Sequence, residues 1–140
     1  MAATYGLLGE HLSHSYSKQI HEALADYTYN LIELSKEELK EFMTAKDFAA
    51  VNVTIPYKRD VIPFLDEMDD RAKSIGAVNT VVNRNGKLYG YNTDFDGLKA
   101  LVLSLVPSME GLKELILGAG GTSRTAQAVA KSLGAGEIVV

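Results

Sequence analysis

The stretch "NVTIPYK", Asn52 to Lys58, places an amide, a hydroxyl and an amine within seven residues, where an apolar run gives way to a proline. A lysine beside a carbonyl can donate a proton to its oxygen, or stabilise charge as it builds there. The position has a cost for stability. Pro56 reads as the opening of a helical piece around residues 57–66, and a helix N-terminus disfavours a cation by roughly 0.3–1 kcal/mol. A solvated surface lysine is the commonest fate of the residue type, but it does not explain this placement. Three more polar clusters stand where apolar runs end: Ser15 with Ser17, Asn79 with Thr80, and Asn92 with Thr93 and Asp94. Ligands of open α/β sheets bind outside the carboxyl ends of the strands, so such clusters, with Asn52 and Thr54, suit one polyhydroxylated ligand. Ser17 and Asp94 equally suit helix N-caps, and Asn52 and Asn79 could simply satisfy strand backbone. His11, His14 and His21 invite a metal reading, but no carboxylate or further ligand has helpful spacing.

The elements that must position these residues alternate along the chain. "TYGLLG" (4–9) reads as a short buried strand, and Ile20, Leu24 and Tyr27 then recur at helical spacing. "YNLIEL" (29–34) is strand-like. "SKEELKEFMTAKDF" (35–48) opens with Ser35 followed three residues later by Glu38, the capping-box signature. "AAVNVTI" (49–55) is the next buried strand, followed by the helical piece and by "EMDDRAKSIG" (67–76). "VNTVV", "NRNG" and "KLYGYN" form a hairpin turning at Asn85-Gly86. "TDFDGLKALVLSLV" is a helix, and Pro107 to Gly111 is a linker. Strands joined by helices imply a mainly parallel α/β sheet covered on both faces, a three-layer α/β/α domain.

The last thirty residues change register. A strand, the glycine-rich turn "GAGG", a helix carrying Ala126, Val129 and Leu133 on one face, a stop at Gly134 and the start of another strand make up the beginning of a dinucleotide-binding βαβ unit. Gly118 permits the tight turn, and Gly120 lets backbone N–H groups approach a pyrophosphate at the helix N-terminus. Ser123 stands where the third glycine of the pattern belongs. The polar residue that would read the ribose falls at or beyond Val140.

Composition narrows the functional classes. The chain has 140 residues with 14 Lys and Arg against 18 Asp and Glu, a formal charge of −4 with no basic stripe to follow a phosphate backbone, so nucleic acid is not expected. Without cysteine there is no disulfide, thiolate metal site or thiol nucleophile. The longest apolar stretch, Leu98 to Val106, is interrupted by Lys99 and Ser104 and stops at Pro107, short of the roughly 20 residues of a membrane span. The first ten residues carry no signal-peptide pattern, and a cytoplasmic location is expected.

The motifs "GEHLSHSYSKQIH", "NVTIPYK", "GAVNTVV", "GYNTDFDG" and "GAGGTSRTA", in this order and at these intervals, resemble shikimate dehydrogenase from about Tyr5 to Val140. The resemblance implies NADP-dependent interconversion of 3-dehydroshikimate and shikimate, on the route to chorismate and the aromatic amino acids. It implies that Ser15 and Ser17 hold the substrate carboxylate and that Thr54, Asn79 and Asp94 bind its hydroxyls. Lys58 and Asp94 would be the catalytic pair. Gly118, Ala119, Gly120, Gly121, Thr122, Ser123 and Arg124 would take the diphosphate of the cofactor. Residues 1–106 correspond to the substrate domain and 107–140 to a linker with the first part of the cofactor domain.

The chain departs from the family pattern in three respects. Lys18 replaces the proline that usually follows the second serine, and "GEHLSHS" lacks a proline before its histidine and serine; both loosen a loop without removing a ligand. Family members also continue past position 140, with a further substrate-binding glutamine. A shikimate-binding fragment without turnover and a quinate/shikimate dehydrogenase are the alternatives, with a methylenetetrahydrofolate dehydrogenase as a remote third. A βαβ unit starting with two strands cannot cover both faces of its sheet. Residues 111–140 are therefore expected to pack on a neighbour, to stay mobile, or to form a homodimer through the edge after Glu137.

Overall fold

The computed structural model describes residues 4–140. Six strands form one sheet: β1 (Tyr5–Gly9), β2 (Tyr29–Glu33), β3 (Ala50–Val53), β4 (Glu67–Met68), β5 (Thr80–Arg84) and β6 (Lys87–Tyr91), in the order β2-β1-β3-β5-β6-β4. β1 runs parallel to β2 and β3, and β4 parallel to β6. β5 is antiparallel to β3 and to β6, with which it forms the expected hairpin. Asn85 and Gly86 both take positive φ, 55° and 82°, as a two-residue turn matched to strand twist requires. The sheet is mixed and mostly parallel.

Alternation along the strands splits the core in two. Leu8, Val51, Val53, Val81 and Leu88 pack with Leu39 and Met43 of helix α2 (Lys36–Ala45), and Tyr57, Val61 and Val78 join them. Ser35 caps α2 through the full capping box with Glu38. Leu7, Leu12 and Tyr29 form the opposite cluster with Tyr5 and Tyr27, beside helix α1 (Ser17–Leu24). α1 ends before Tyr27, and it meets the sheet through His21, stacked on Tyr29 with ring centroids 4.0 Å apart, and through Lys18 and Glu22, which bond to the Tyr29 carbonyl and N–H. Ile20 and Leu24 are exposed.

Two local expectations change. No α-helix opens at Pro56. The chain makes one α-turn, with Val61 N–H donating to Tyr57 O at 3.1 Å, then a 3-10 turn over Ile62–Phe64. Pro63 brings no N–H to extend a helix, so the segment that carries Lys58 sets no helix dipole of its own against it. Neither Ser17 nor Asp94 is an N-cap. Tyr16 and Thr93 occupy those positions without side-chain caps. Instead Ser15 Oγ accepts from Ser17 N–H at 3.2 Å and Asn92 Oδ1 from Phe95 N–H at 3.2 Å. The capping oxygen lies two or three residues ahead in each case, which leaves the Ser17 hydroxyl and the Asp94 carboxylate free for other work.

Helix α3 (Asp70–Ile75) is capped by Asp69, and helix α4 (Asp94–Leu105) leads from the sheet to the second unit. There β7 (Lys113–Leu115) and β8 (Glu137–Val139) pair in parallel around helix α5 (Gly121–Ser132). α5 packs against α4 and α3, burying Ser123, Thr125, Val129 and Ala130; of the face expected from sequence only Val129 is fully buried. Residues 113–139 thus rest on the first unit of the same chain. Among the described residues no helix is long and apolar enough to cross a membrane.

Candidate functional site

Strand register brings the polar clusters to one end of the sheet. The loop carrying Ser15 and Ser17 leaves the carboxyl end of β1, and Thr54 follows the end of neighbouring β3. Asn79 enters β5 level with that point, donating its N–H to Tyr91 O at 3.0 Å and accepting from Val53 N–H at 2.7 Å. Asn92, Thr93 and Asp94 follow the end of β6, paired with the start of β5. The Lys58 carbonyl accepts from Val78 N–H at 2.8 Å, which ties the turn after β3 to the same edge.

Lys58 is the centre of the arrangement. Its Nζ lies 2.6 Å from Asp94 Oδ2 and 3.3 Å from Thr122 Oγ1 in the first turn of α5. The lysine side chain is only 12% exposed and the aspartate 36%, so the pair is screened by water far less than a surface ion pair. The turn replaces the predicted helix as the reason for the position: Asp94, at the first position of α4, supplies the counter-charge. A methyl group at Gly121 would stand 3.0 Å from Lys58 Cβ, so the glycine allows α5 to approach the lysine this closely.

Asn79 is 8% exposed. Its Oδ1 accepts from Thr93 N–H at 2.8 Å and its Nδ2 donates to Thr93 Oγ1 at 2.8 Å. Thr93 links Asn79 directly to Asp94 through the chain. Thr54 packs its methyl over Gly9, where a Cβ would meet Thr54 Cγ2 at 2.8 Å. Ser15 and Ser17 bond to each other at 3.2 Å; among the described residues no hydrogen bond joins them to Lys58, Asp94 or Asn79.

A cleft of about 410 Å³ lies between Ile55, Pro56 and Lys58 on one side and Ile116 to Gly118, Gly120 to Ser123 and Ala126 on the other. Gly118 takes φ 120°, and a Cβ at Gly118 or Gly120 would enter open space. The N–H groups of the first turn of α5 have no intrahelical acceptor. Open glycine backbone before a helix N-terminus fits a diphosphate. Ser123 is buried and accepts from Gln127 Nε2 at 3.3 Å, so only its backbone could serve such a group. Arg124 turns toward α3, where a Cβ on Gly76 would come 3.0 Å from its Nη1.

A sequence model described as the shikimate dehydrogenase substrate binding domain matches residues 7–81, more than half the chain. The chain belongs to the shikimate dehydrogenase family. The NADP(+) shikimate dehydrogenase of Halothermothrix orenii is 46% identical over 142 residues, covering 95% of this chain and 49% of that protein. That of Aquifex aeolicus is 44% identical over 128 residues, covering 86% and 48%. The crystal structure of shikimate dehydrogenase 1 from Peptoclostridium difficile superposes with a TM-score of 0.92 at 38% identity, covering 98% of this chain and 54% of that one. The chain spans about half the length of these shikimate dehydrogenases.

Two contributors to this candidate site went unread in the sequence. Tyr29 Oη donates to Asn52 Oδ1 at 2.7 Å, and Asn92 Nδ2 reaches Thr125 Oγ1 in α5 at 3.2 Å. A strand tyrosine reads as core, although period-two alternation sets Tyr29 on the face that carries Leu7 rather than Leu8. Thr125 gives no signal apart from its helical spacing.

Proposed function

We propose that the chain is the substrate-binding part, residues 1–106, and the opening of the cofactor-binding part, residues 107–140, of an NADP-dependent shikimate dehydrogenase. The observation that carries this reading is Lys58 Nζ held 2.6 Å from Asp94 and 3.3 Å from Thr122, at the junction of the polyhydroxyl-type site and the glycine loop. Residues Gly118 to Arg124 hold the cofactor diphosphate, mainly through backbone N–H groups. NADP, when bound, supplies or accepts the hydride. The chain handles the proton. In the direction of ketone reduction, Lys58 donates a proton to the carbonyl oxygen of 3-dehydroshikimate, and Asp94, 2.6 Å from its Nζ, aims the amine at it. In the reverse direction the same pair receives the proton of the alcohol. Ser15 and Ser17 hold the carboxylate, and Thr54, Asn79 and Asp94 the hydroxyls.

The test is shikimate titrated into this chain by calorimetry, with NADP reduction followed on the same sample. Heat of binding is expected in the wild type. Lys58→Ala is expected to lose any reduction by orders of magnitude while shikimate affinity changes little; an equal loss of affinity would make Lys58 a positioning group. Absence of both heat and reduction in the wild type would overturn the reading. Heat without reduction favours a shikimate-binding unit without turnover, a second reading that the half-length match to the relatives supports.

A further inference from the structure

Asn79 stands at the end of a run of hydrogen bonds that starts outside the site. The Tyr29 hydroxyl lies 2.7 Å from Asn52 Oδ1, Asn52 Nδ2 3.1 Å from Thr80 Oγ1, and Thr80 Oγ1 3.3 Å from Asn79 Oδ1. Asn79 Nδ2 then reaches Thr93 Oγ1 at 2.8 Å. The direction of every donor follows from one fixed point. The backbone N–H of Thr93 can only donate, and it donates to Asn79 Oδ1 at 2.8 Å, which settles the amide orientation of Asn79. With Oδ1 facing Thr80, the Thr80 hydroxyl must donate its single proton there. Its lone pairs are then left for Asn52, which must present Nδ2. Asn52 Oδ1 thereby faces Tyr29, which donates. Tyr29 is 2% exposed, so its proton has no competing water.

We propose that Tyr29, Asn52 and Thr80 are positioning residues that lock the amide of Asn79, aligned as a one-way donor chain from β2 across β3 to β5. Resting on the reading of Asn79 as a substrate ligand, the relay explains how one amide can be specific. Asn79 Nδ2 carries two hydrogens; Thr93 takes one, and the second is left for a substrate hydroxyl. Aligned donors polarise one another, so the relay sharpens that remaining N–H as well as aiming it. Burial pushes the Tyr29 phenol up to about 12, which keeps the first donor protonated through the working pH range.

The experiment uses the 140-residue chain with Tyr29→Phe, Thr80→Val and Thr80→Ser. The first readout is the side-chain amide pair of Asn79 in a ¹⁵N-labelled, unliganded sample, assigned through its loss in Asn79→Asp. Tyr29→Phe is expected to shift that pair, although Tyr29 shares no hydrogen bond with Asn79; Thr80→Val moves it further and Thr80→Ser restores it. The second readout is shikimate affinity. It falls by about threefold to tenfold in Tyr29→Phe and Thr80→Val, the scale of one neutral hydrogen bond, and recovers in Thr80→Ser. An Asn79 amide unmoved by Tyr29→Phe overturns the relay. If the wild type takes no shikimate, the functional reading falls while the amide shifts still decide the relay. Should Thr80→Val fail to fold, Tyr29→Phe alone carries both readouts.

Discussion

Lys58 shows how a residue can be recognised for the wrong local reason. Its type and neighbours marked it out in the sequence, but the conflict with a helix of its own segment vanished once Pro56 and Pro63 had limited that segment to turns. Its placement follows from Asp94 and from the bare backbone of Gly121. Gly121→Ala puts a methyl 3.0 Å from Lys58 Cβ and 3.3 Å from Cδ, tighter than ordinary van der Waals contact, so the lysine must move. Acylation of the Lys58 amine by a water-soluble ester is expected to speed up severalfold as the ion pair with Asp94 loosens, the unfolding temperature changing little. Labelling at the wild-type rate would mean that the lysine keeps its place. Tyr29 was not legible in this way, since its partner Asn52 lies 23 residues away in sequence and in a different strand.

At the scale of elements, features written in adjacent residues were legible and pairings between distant ones were not. The capping box of Ser35 and Glu38 and the Asn85-Gly86 turn depend on four residues or fewer. The central place of β1, between β2 and β3, and the docking of short β4 on β6 depend on which apolar faces meet, which one sequence does not disclose. Ile20 and Leu24 keep helical spacing yet face outward, because His21 stacks on the sheet instead. The β2 strand has a pH signature. Burial, and secondarily the neighbouring Tyr27, raise the Tyr29 phenol from 10.0 to about 12. A group whose pKa is higher folded than unfolded gives its full stability below the unfolded value and loses it as pH rises toward the folded one. Stability contributed by Tyr29 is therefore constant below pH 10 and falls between pH 10 and about 12. Urea midpoints measured across that window should decline less steeply for Tyr29→Phe than for the wild type; parallel declines would assign the alkaline loss to other groups.

Across the whole molecule, α5 is tied to the larger sheet's unit by hydrogen bonds from Lys58 and Asn92, beside the buried Val129 and Ala130. Asn92, 2% exposed, donates to Ala77 O at 3.0 Å and to Thr125 Oγ1 at 3.2 Å, and Thr125 is fully buried. Thr125→Val keeps the shape and deletes the acceptor, which costs about 1–3 kcal/mol when a buried donor is left short of a partner. Amide exchange in α5, β7 and β8 is expected to accelerate while β1, β3 and β5 keep their protection. Uniform acceleration would instead mean that the chain opens as one unit. The strand-helix-strand run of β7, α5 and β8 was legible from the glycine loop, but not the pin at Asn92, whose side chain serves α4 with its oxygen and α5 with its nitrogen. The hairpin at Asn85-Gly86 has a practical consequence. Its exposed tip lies one strand length, roughly 17 Å, from the end of the sheet where Lys58 and Asn79 sit, and the chain holds no cysteine. Lys87→Cys would create the sole thiol in the protein, a point for tethering it to a surface or a dye with the cleft turned toward the solution.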